Sequence, residues 1–244
     1  MSGVYAVFWR EMRILRQRLP KTIISFCVSP LLFLIAFGWG VGRNLTVQGT
    51  NYMHFMIPGL MALGSMNNSF NIATEINIAR FYLRSFERLQ VAPLSPWQIV
   101  LGEVLSGMVK GLLAGGTIYL LTLAFGIRPH LSLLLWLSVL ANTFMFASAA
   151  VITAMVVKSH ADQASFNTFF ITPMSFLAGT FFPLARLPEW AQYLARALPL
   201  THASNCIRAA ALGQRFPVDS FAVMIIYSAF FFLMAVVTVR HASI

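Results

Sequence analysis

The sequence predicts an all-α membrane protein with six transmembrane helices, a helix lying in the interface before the first, and further helical pieces between the fifth and the sixth. Three observations carry that expectation: the composition, the spacing of charge-free apolar runs, and the placement of the basic residues. Of 244 residues, 58% are hydrophobic and 10% charged, and the mean hydropathy is +0.75. A soluble domain carries about a quarter charged residues. Seven acids cannot give a water-facing surface of this size the mixed charge it needs. An ordinary soluble enzyme, a disordered chain and a disulfide-stapled secreted domain are thereby excluded. Cys27 and Cys206 make no framework, since one lies in an apolar run and the other far outside it.

A spanning helix needs about 20 mostly apolar residues. Residues 22–41 supply the first run, preceded by Arg10, Arg13, Arg16, Arg18 and Lys21. A signal peptide also begins basic and turns apolar, but its core is about 7–15 residues long and a small-residue cleavage site follows it. This run is longer and no such site follows, so it is expected to persist as span one. The second run, 55–74, is more polar and contains Asn67, Asn68 and Asn71. The remaining runs cover 99–125, 131–157, 164–182 and 221–239.

Six spans place both termini on one side. A cytoplasmic N-terminus collects Arg10, Arg13, Arg16, Arg18, Lys21, Arg80, Arg84, Arg88, Lys158 and Arg240 inside. It leaves Arg43, Arg128, Arg186, Arg196, Arg208 and Arg215 outside, most of them in one long loop that counts less in the positive-inside rule. The net charge of +10 is therefore topological. No readable nucleic-acid motif interleaves the basic residues, and no nucleic-acid partner is expected.

Three segments lie between the spans. Residues 4–20 place Val4, Val7, Phe8, Ile14 and Leu15 on one helical side, the pattern of a basic interfacial helix. Residues 80–95 read as a cytoplasmic loop whose helical first half alternates Phe81, Leu83, Phe86 and Leu89 with arginines, before Pro93 and Pro96 stop it. Residues 183–217 are too long for a turn and hold two helical pieces, 187–198 and 201–213, the second capped by Thr201 and ended by Gly213. In the first piece, Trp190 with Leu194 and Leu187 with Ala191 form an apolar stripe for the bundle, while Glu189, Gln192 and Arg196 point to water.

No catalytic constellation emerges. A P-loop needs Gly-Lys, and Lys21, Lys110 and Lys158 follow Pro20, Val109 and Val157. The five histidines, His54, His130, His160, His202 and His241, are scattered without metal-ligand spacing, and no serine-nucleophile motif occurs. Glu75, Glu103 and Lys110 are the charges nearest hydrocarbon, where ionisable groups are costly and often functional. They read either as a proton or substrate relay, or as groups at the cytoplasmic ends of spans with Lys110 facing protein or a wet cavity. Asn67, Asn68 and Asn71 read as interhelical hydrogen-bonding groups, and the glycines of span three, Gly102, Gly107, Gly111, Gly115 and Gly116, as a packing face.

This arrangement resembles the permease subunit of type-2 ABC exporters, in the half-size branch of YadH-like and NodJ-like proteins. Two segments carry the likeness: FERLQVAPLSPWQIVLGE (86–103), and the C-terminal GTFFPLARLPEWAQYLARALPLTHASNCIRAAALG (179–213) with its late Arg208. The sequence departs from the family at 80–85, where it reads RFYLRS without the usual glycine and acids. The resemblance implies that 80–95 is a coupling helix docking an ATPase through Phe81, Leu83, Arg84, Phe86, Glu87, Arg88 and Leu89. It implies that 183–217 re-enters the membrane from outside and narrows the exit, with Phe182, Pro183, Pro188, Trp190, Tyr193 and Pro199 as the outer gate. Residues 1–244 then form a single transmembrane domain in a bacterial inner membrane. The implied assembly is a homodimer with two ATPase chains, which bind the ATP and magnesium, since no cofactor is expected in this chain. An amphiphile, drug-like molecule or lipid-linked glycan would leave the cytoplasm or inner leaflet. The alternative from another class is a secondary transporter driven by an ion gradient through Glu75, Glu103 or Lys110; no internal repeat of the kind such proteins carry is visible.

Overall fold

The computed structural model describes residues 2–41, 46–47, 50–83, 86 and 92–242. Helix α1, Ser2–Phe33, is unbroken, with Pro20 and Pro30 inside it. The expected interfacial segment 4–20 and the first half of span one are thus one helix. A proline deletes its own hydrogen bond to the preceding turn, but the ladder on either side continues. The helix loosens into a π-helical stretch, Leu34–Val41. Its packing face also differs from the apolar pattern: Val7, Glu11 and Leu15 are buried, whereas Ile14 is 48% exposed.

A two-residue antiparallel ladder pairs β1 (Thr46–Val47) with β2 (Thr50–Asn51). The Asn51 side chain caps α2 (Tyr52–Phe70) by accepting from Met53 N at 3.0 Å. After Asn71 the helix resumes as α3 (Ile72–Asn77) and ends in a π turn, Ile78–Tyr82. The second helical segment therefore runs beyond the expected residue 74 and takes in Arg80 and Phe81. Pro96 opens α4 (Pro96–Ala124), where its missing N–H is harmless, and the Ser95 N–H donates to Gln98 Oε1 at 3.1 Å. Helix α5 (Leu133–Val156) is capped by Ser132. A helical run of α6 (His160–Phe166), a π turn (Asn167–Ile171) and α7 (Thr172–Leu177) follows. The chain then turns at Gly179, whose φ of +70° favours glycine. Two short helices, α8 (Glu189–Arg196) and α9 (Pro199–Ala211), precede the last, α10 (Val218–Ala242).

Among the described residues four helices are long and apolar enough to cross a membrane: Gly3–Phe37, Pro96–Ala124, Leu133–Val156 and Val218–Ala242. Of the other two expected spans, 55–74 is helical but divided at Asn71, and 164–182 is helical only as far as Leu177, divided by the π turn at 167–171 and ended by the turn at Gly179.

Helix α2 is the axis of the core, buried along almost its whole length against α4, α5 and α9. Small residues on α4 allow that approach, as the span-three glycines predict. A Cβ on Gly111 would sit 2.4 Å from Thr143 Cγ2 and 2.8 Å from the Ser65 carbonyl. One on Gly102 would meet Val7 at 2.6 Å. Amides join the helices at the same level of packing. Asn142 Nδ2 donates to the Ala62 carbonyl (3.0 Å) and Ser65 Oγ (2.8 Å), and Asn77 Nδ2 donates to Gln163 Oε1 (3.0 Å). Such interhelical bonds in membranes average about 0.6 kcal/mol, so they set register more than stability. Cys27 and Cys206 are both free.

Candidate functional site

The charges expected in hydrocarbon are paired across helices. Glu103 is 2% exposed and accepts from Arg10 Nη2 at 2.9 Å. The same guanidinium donates to Glu11 Oε1 from Nη2 (2.7 Å) and Nε (2.9 Å), so α1 and α4 are riveted by one arginine between two carboxylates. Seven residues along α4, on the same face, Lys110 forms an ion pair with Glu75 of α3. Neither Arg10 nor Glu11 stood out in the sequence, because both read as members of a solvated basic face. The burial of Glu11 follows from the close packing of α1 on α4 at Gly102.

The amides behave differently from expectation. Asn67 and Asn71 are exposed, and Asn68 Nδ2 bonds the Gly64 carbonyl of its own helix at 2.9 Å. The interhelical partners are Asn77, Asn142 and Gln163 instead. They were missed because an amide inside a span carries no positional signal of its own.

Of the docking candidates, Phe81 is 38% and Leu83 66% exposed, with Tyr82 between them at 69%. Phe86 is not on that surface: it is 2% exposed and part of this chain's own core. A large ring next to the bundle gains more from packing there than from water. Arg84, Glu87, Arg88 and Leu89 lie outside the described residues. Arg80 hydrogen-bonds the Ala154 carbonyl at the end of α5 and places its guanidinium 5.0 Å from the Phe81 ring centroid. That anchors the start of the loop to the bundle.

At the opposite end of the helices, residues 178–183 are tied to the start of α2. The Tyr52 hydroxyl donates to the Phe181 carbonyl at 2.9 Å, and Ser204 Oγ donates to that of Ala178 at 3.1 Å. Arg208, 8% exposed, donates to the carbonyls of Gly179 (2.7 Å) and Phe55 (3.3 Å) and lies 3.9 Å over the Phe55 ring. Gly59 leaves room for this knot, since a Cβ there would stand 2.0 Å from the Thr180 carbonyl oxygen.

The outer-gate residues divide. Phe182 is half-buried, Pro183 buried and Pro199 half-buried at the start of α9, while Pro188, Trp190 and Tyr193 are exposed. The stripe expected on α8 is rotated. Ala191 and Ala195 face the protein, whereas Trp190 is 68%, Tyr193 70% and Leu194 55% exposed. Gln192 is half-buried, donating to the Leu187 carbonyl at 2.9 Å. Alanines let a short helix approach closely, and large apolar side chains lose nothing by facing lipid or its interface. The turn after α8 is held by Thr201 Oγ1 on the Ala195 carbonyl (2.5 Å) and by the Tyr227 hydroxyl on that of Ala197 (3.0 Å). Among the described residues no group of histidines, cysteines and carboxylates is placed to hold a metal.

Long apolar helices whose internal charges are paired with one another describe a membrane subunit. A family model decides which: the ABC-2 type transporter matches residues 2–212. The chain belongs to the ABC-2 type transporter family. As a member it is an ABC transporter membrane subunit, not itself catalytic, and membership implies an ABC ATPase partner. Nodulation protein J of Sinorhizobium fredii strain NGR234 is 32% identical over 212 residues, covering 86% of this chain and 81% of that relative. The inner membrane transport permease YadH of Escherichia coli K12 is 29% identical over 218 residues, 87% and 85% of the two chains. Nodulation protein J of Rhizobium meliloti strain 1021 is 33% identical over 196 residues, 79% and 75%. ABC-2 membership does not favour the ion-gradient alternative, and Glu75, Glu103 and Lys110 each have a protein partner.

Proposed function

We propose that this ABC-2 subunit is the permease of an ATP-driven exporter, working as a homodimer with two ATPase chains. The whole chain, 1–244, acts as one transmembrane domain with six crossings and both termini in the cytoplasm of a bacterial cell, in its inner membrane. The observation that carries the docking is the exposed Phe81–Tyr82–Leu83 step, beside the end of α5 where Arg80 meets the Ala154 carbonyl and Tyr82 meets His160. Apolar side chains in a charged cytoplasmic loop have no lipid to face, and a groove on an ATPase would cover them. ATP and magnesium belong to that partner.

The re-entrant reading of 183–217 is supported by the Tyr227–Ala197 bond. Tyr227 lies nine residues into α10, roughly 14 Å along its axis at about 1.5 Å per residue. The carbonyl it holds is therefore well below the level of residue 218. Irregular backbone at depth is tolerated only against protein or a wet cavity, and the carbonyl-to-hydroxyl bond meets that condition.

In this mechanism, ATP closes the ATPase dimer and pushes the 80–95 loop. Arg80 passes the push to α5 through Ala154, and Arg10 couples α1 to α4 through Glu103. The helices then shift between two discrete packings. The substrate class is an amphiphile, a drug-like molecule or a lipid-linked glycan, moving outward. Purification with an ABC ATPase, followed by ATP-dependent uptake of a fluorescent amphiphile into inside-out vesicles, tests the reading. Uptake that runs on an ion gradient without ATP would overturn it.

A further inference from the structure

We propose that a cavity within one protomer binds the alkyl chain of an anionic amphiphile, admitted sideways from the cytoplasmic leaflet. The proposal rests on the orientation and export reading above and adds the chemistry of a ligand site. The cavity holds about 350 Å³ between α2, α5, the 160–177 segment, α9 and α10. Phe70, Phe146, Ile152, Phe166, Phe170 and Leu198 form much of its wall. Three of these rings make a continuous stack, with centroids 6.1 Å apart for Phe70–Phe166 and 4.7 Å for Phe166–Phe170.

The lining offers water nothing. Thr153 is the lining residue with an oxygen in its side chain, and its hydroxyl is spent on the Ala150 carbonyl at 2.9 Å. No lining side chain leaves a buried polar atom without a partner. Buried water needs two to four polar partners, and an engineered cavity of about 150 Å³ lined by Leu, Ile and Phe stays dry and takes up benzene. This cavity is more than twice as large. Left empty, its walls would forfeit dispersion contacts. Its lining residues Val156 and Phe170 are 65% and 61% exposed, so the cavity opens at the side of the helices. Hydrocarbon is the filler at hand.

The mouth selects the head group. Lys158, exposed, directly follows the lining residue Val157. The Arg80 guanidinium sits on the Ala154 carbonyl, one residue from Thr153. His160 lies two positions beyond Lys158, with the Tyr82 ring 6.4 Å away. The acid nearby, Asp162, already accepts the backbone N–H of Lys158 through its carboxylate (3.2 Å), while its own N–H donates to Ser159 Oγ (3.1 Å). An apolar slot with basic side chains at its rim matches a chain that ends in a carboxylate, sulfate or phosphate.

The full-length permease in phosphatidylcholine nanodiscs, without ATPase, is photolabelled with lauric acid carrying a terminal diazirine, and adducts are mapped by mass spectrometry. Adducts are expected to concentrate on residues 146–157 and 166–174. Ala149→Leu, which fills the slot, is expected to lower them about fivefold. Lys158→Glu, on the exposed rim, keeps the charge arm readable even if the filled variant does not fold. It is expected to lower labelling by the acid and not by the matching alcohol. Competition by phosphatidylglycerol in the disc supports the site with a resident lipid as its source; absence of competition supports it with a free amphiphile. Adducts spread evenly over α1 and α10, or unchanged by both substitutions, overturn the proposal. Because no ATPase is present, that failure leaves the export reading standing, and loss of ATP coupling with intact labelling overturns export alone.

Discussion

Arg208 covers the ring of Phe55 at 3.9 Å although the two are 153 positions apart, and its Nη2 simultaneously donates to the Gly179 carbonyl at 2.7 Å. No carboxylate is among these partners; backbone oxygens and a ring face stabilise the cation. Arg208→Lys keeps the charge but loses the planar fork and the stacking, and is expected to destabilise by about 2–3 kcal/mol. Arg208→Met, which takes its donor from the Gly179 and Phe55 carbonyls and removes the cation from the ring, is expected to cost at least as much. Thermal unfolding of the purified permease in nanodiscs reads both. A variant as stable as the parent would show that the knot at 178–183 does not depend on this residue.

The two members of the Lys110–Glu75 ion pair should respond unequally to replacement. The Glu75 side chain is 42% exposed and that of Lys110 9%. Lys110→Met leaves a carboxylate that water can reach, with an expected cost of about 1 kcal/mol or less and transport retained. Glu75→Gln strands a buried ammonium and should cost more. Stability of the two variants, measured side by side, gives the order. Transport abolished in a well-folded Lys110→Met protein would revive an ion-driven mechanism.

Glu103 has its partner on another helix, 93 positions away. Arg10→Ala leaves a carboxylate that is 2% exposed, and about 3–5 kcal/mol is expected to be lost. Arg10→Ala with Glu103→Gln should recover part of it, because the charge is removed as well. A double variant no better than the single one would mean that Arg10 acts through Glu11 alone.

On the cytoplasmic loop, Phe81→Asp with Leu83→Asp is expected to remove stimulated ATP turnover while the permease still inserts and purifies. Phe86→Asp should behave differently and lower stability by several kcal/mol, since it puts a charge in the core. ATP turnover in the reconstituted complex, with thermal unfolding as the control, separates the two. Full turnover in the Phe81/Leu83 variant would exclude this surface as the docking site.

For α8, cysteines at 189, 193 and 196 in a background free of Cys27 and Cys206 should react strongly with an impermeant thiol reagent applied from outside. Cysteines at 191 and 195 should react weakly, because their alanines are buried. Labelling from the cytoplasmic side alone would remove this segment from the outer face.

The sequence by itself determined the membrane class and the helical runs at 96–124, 133–156 and 218–242 within a few residues. These features are local: hydropathy and length. It also marked Gly102, Gly107 and Gly111 as a packing face, because small side chains are what allow helices to approach in lipid. Which face of each helix turns inward was decided by the tertiary structure. In water an apolar stripe marks the buried side, but in a bilayer Trp190 or Ile14 is as comfortable outside as inside, and hydrophobic periodicity loses its meaning. Thus Ala191 and Ala195 took the inner face of α8, and Glu11 took that of α1 to share Arg10 with Glu103. Partners 35, 93 and 153 positions apart were set by which helices pack together, a choice no local pattern encodes.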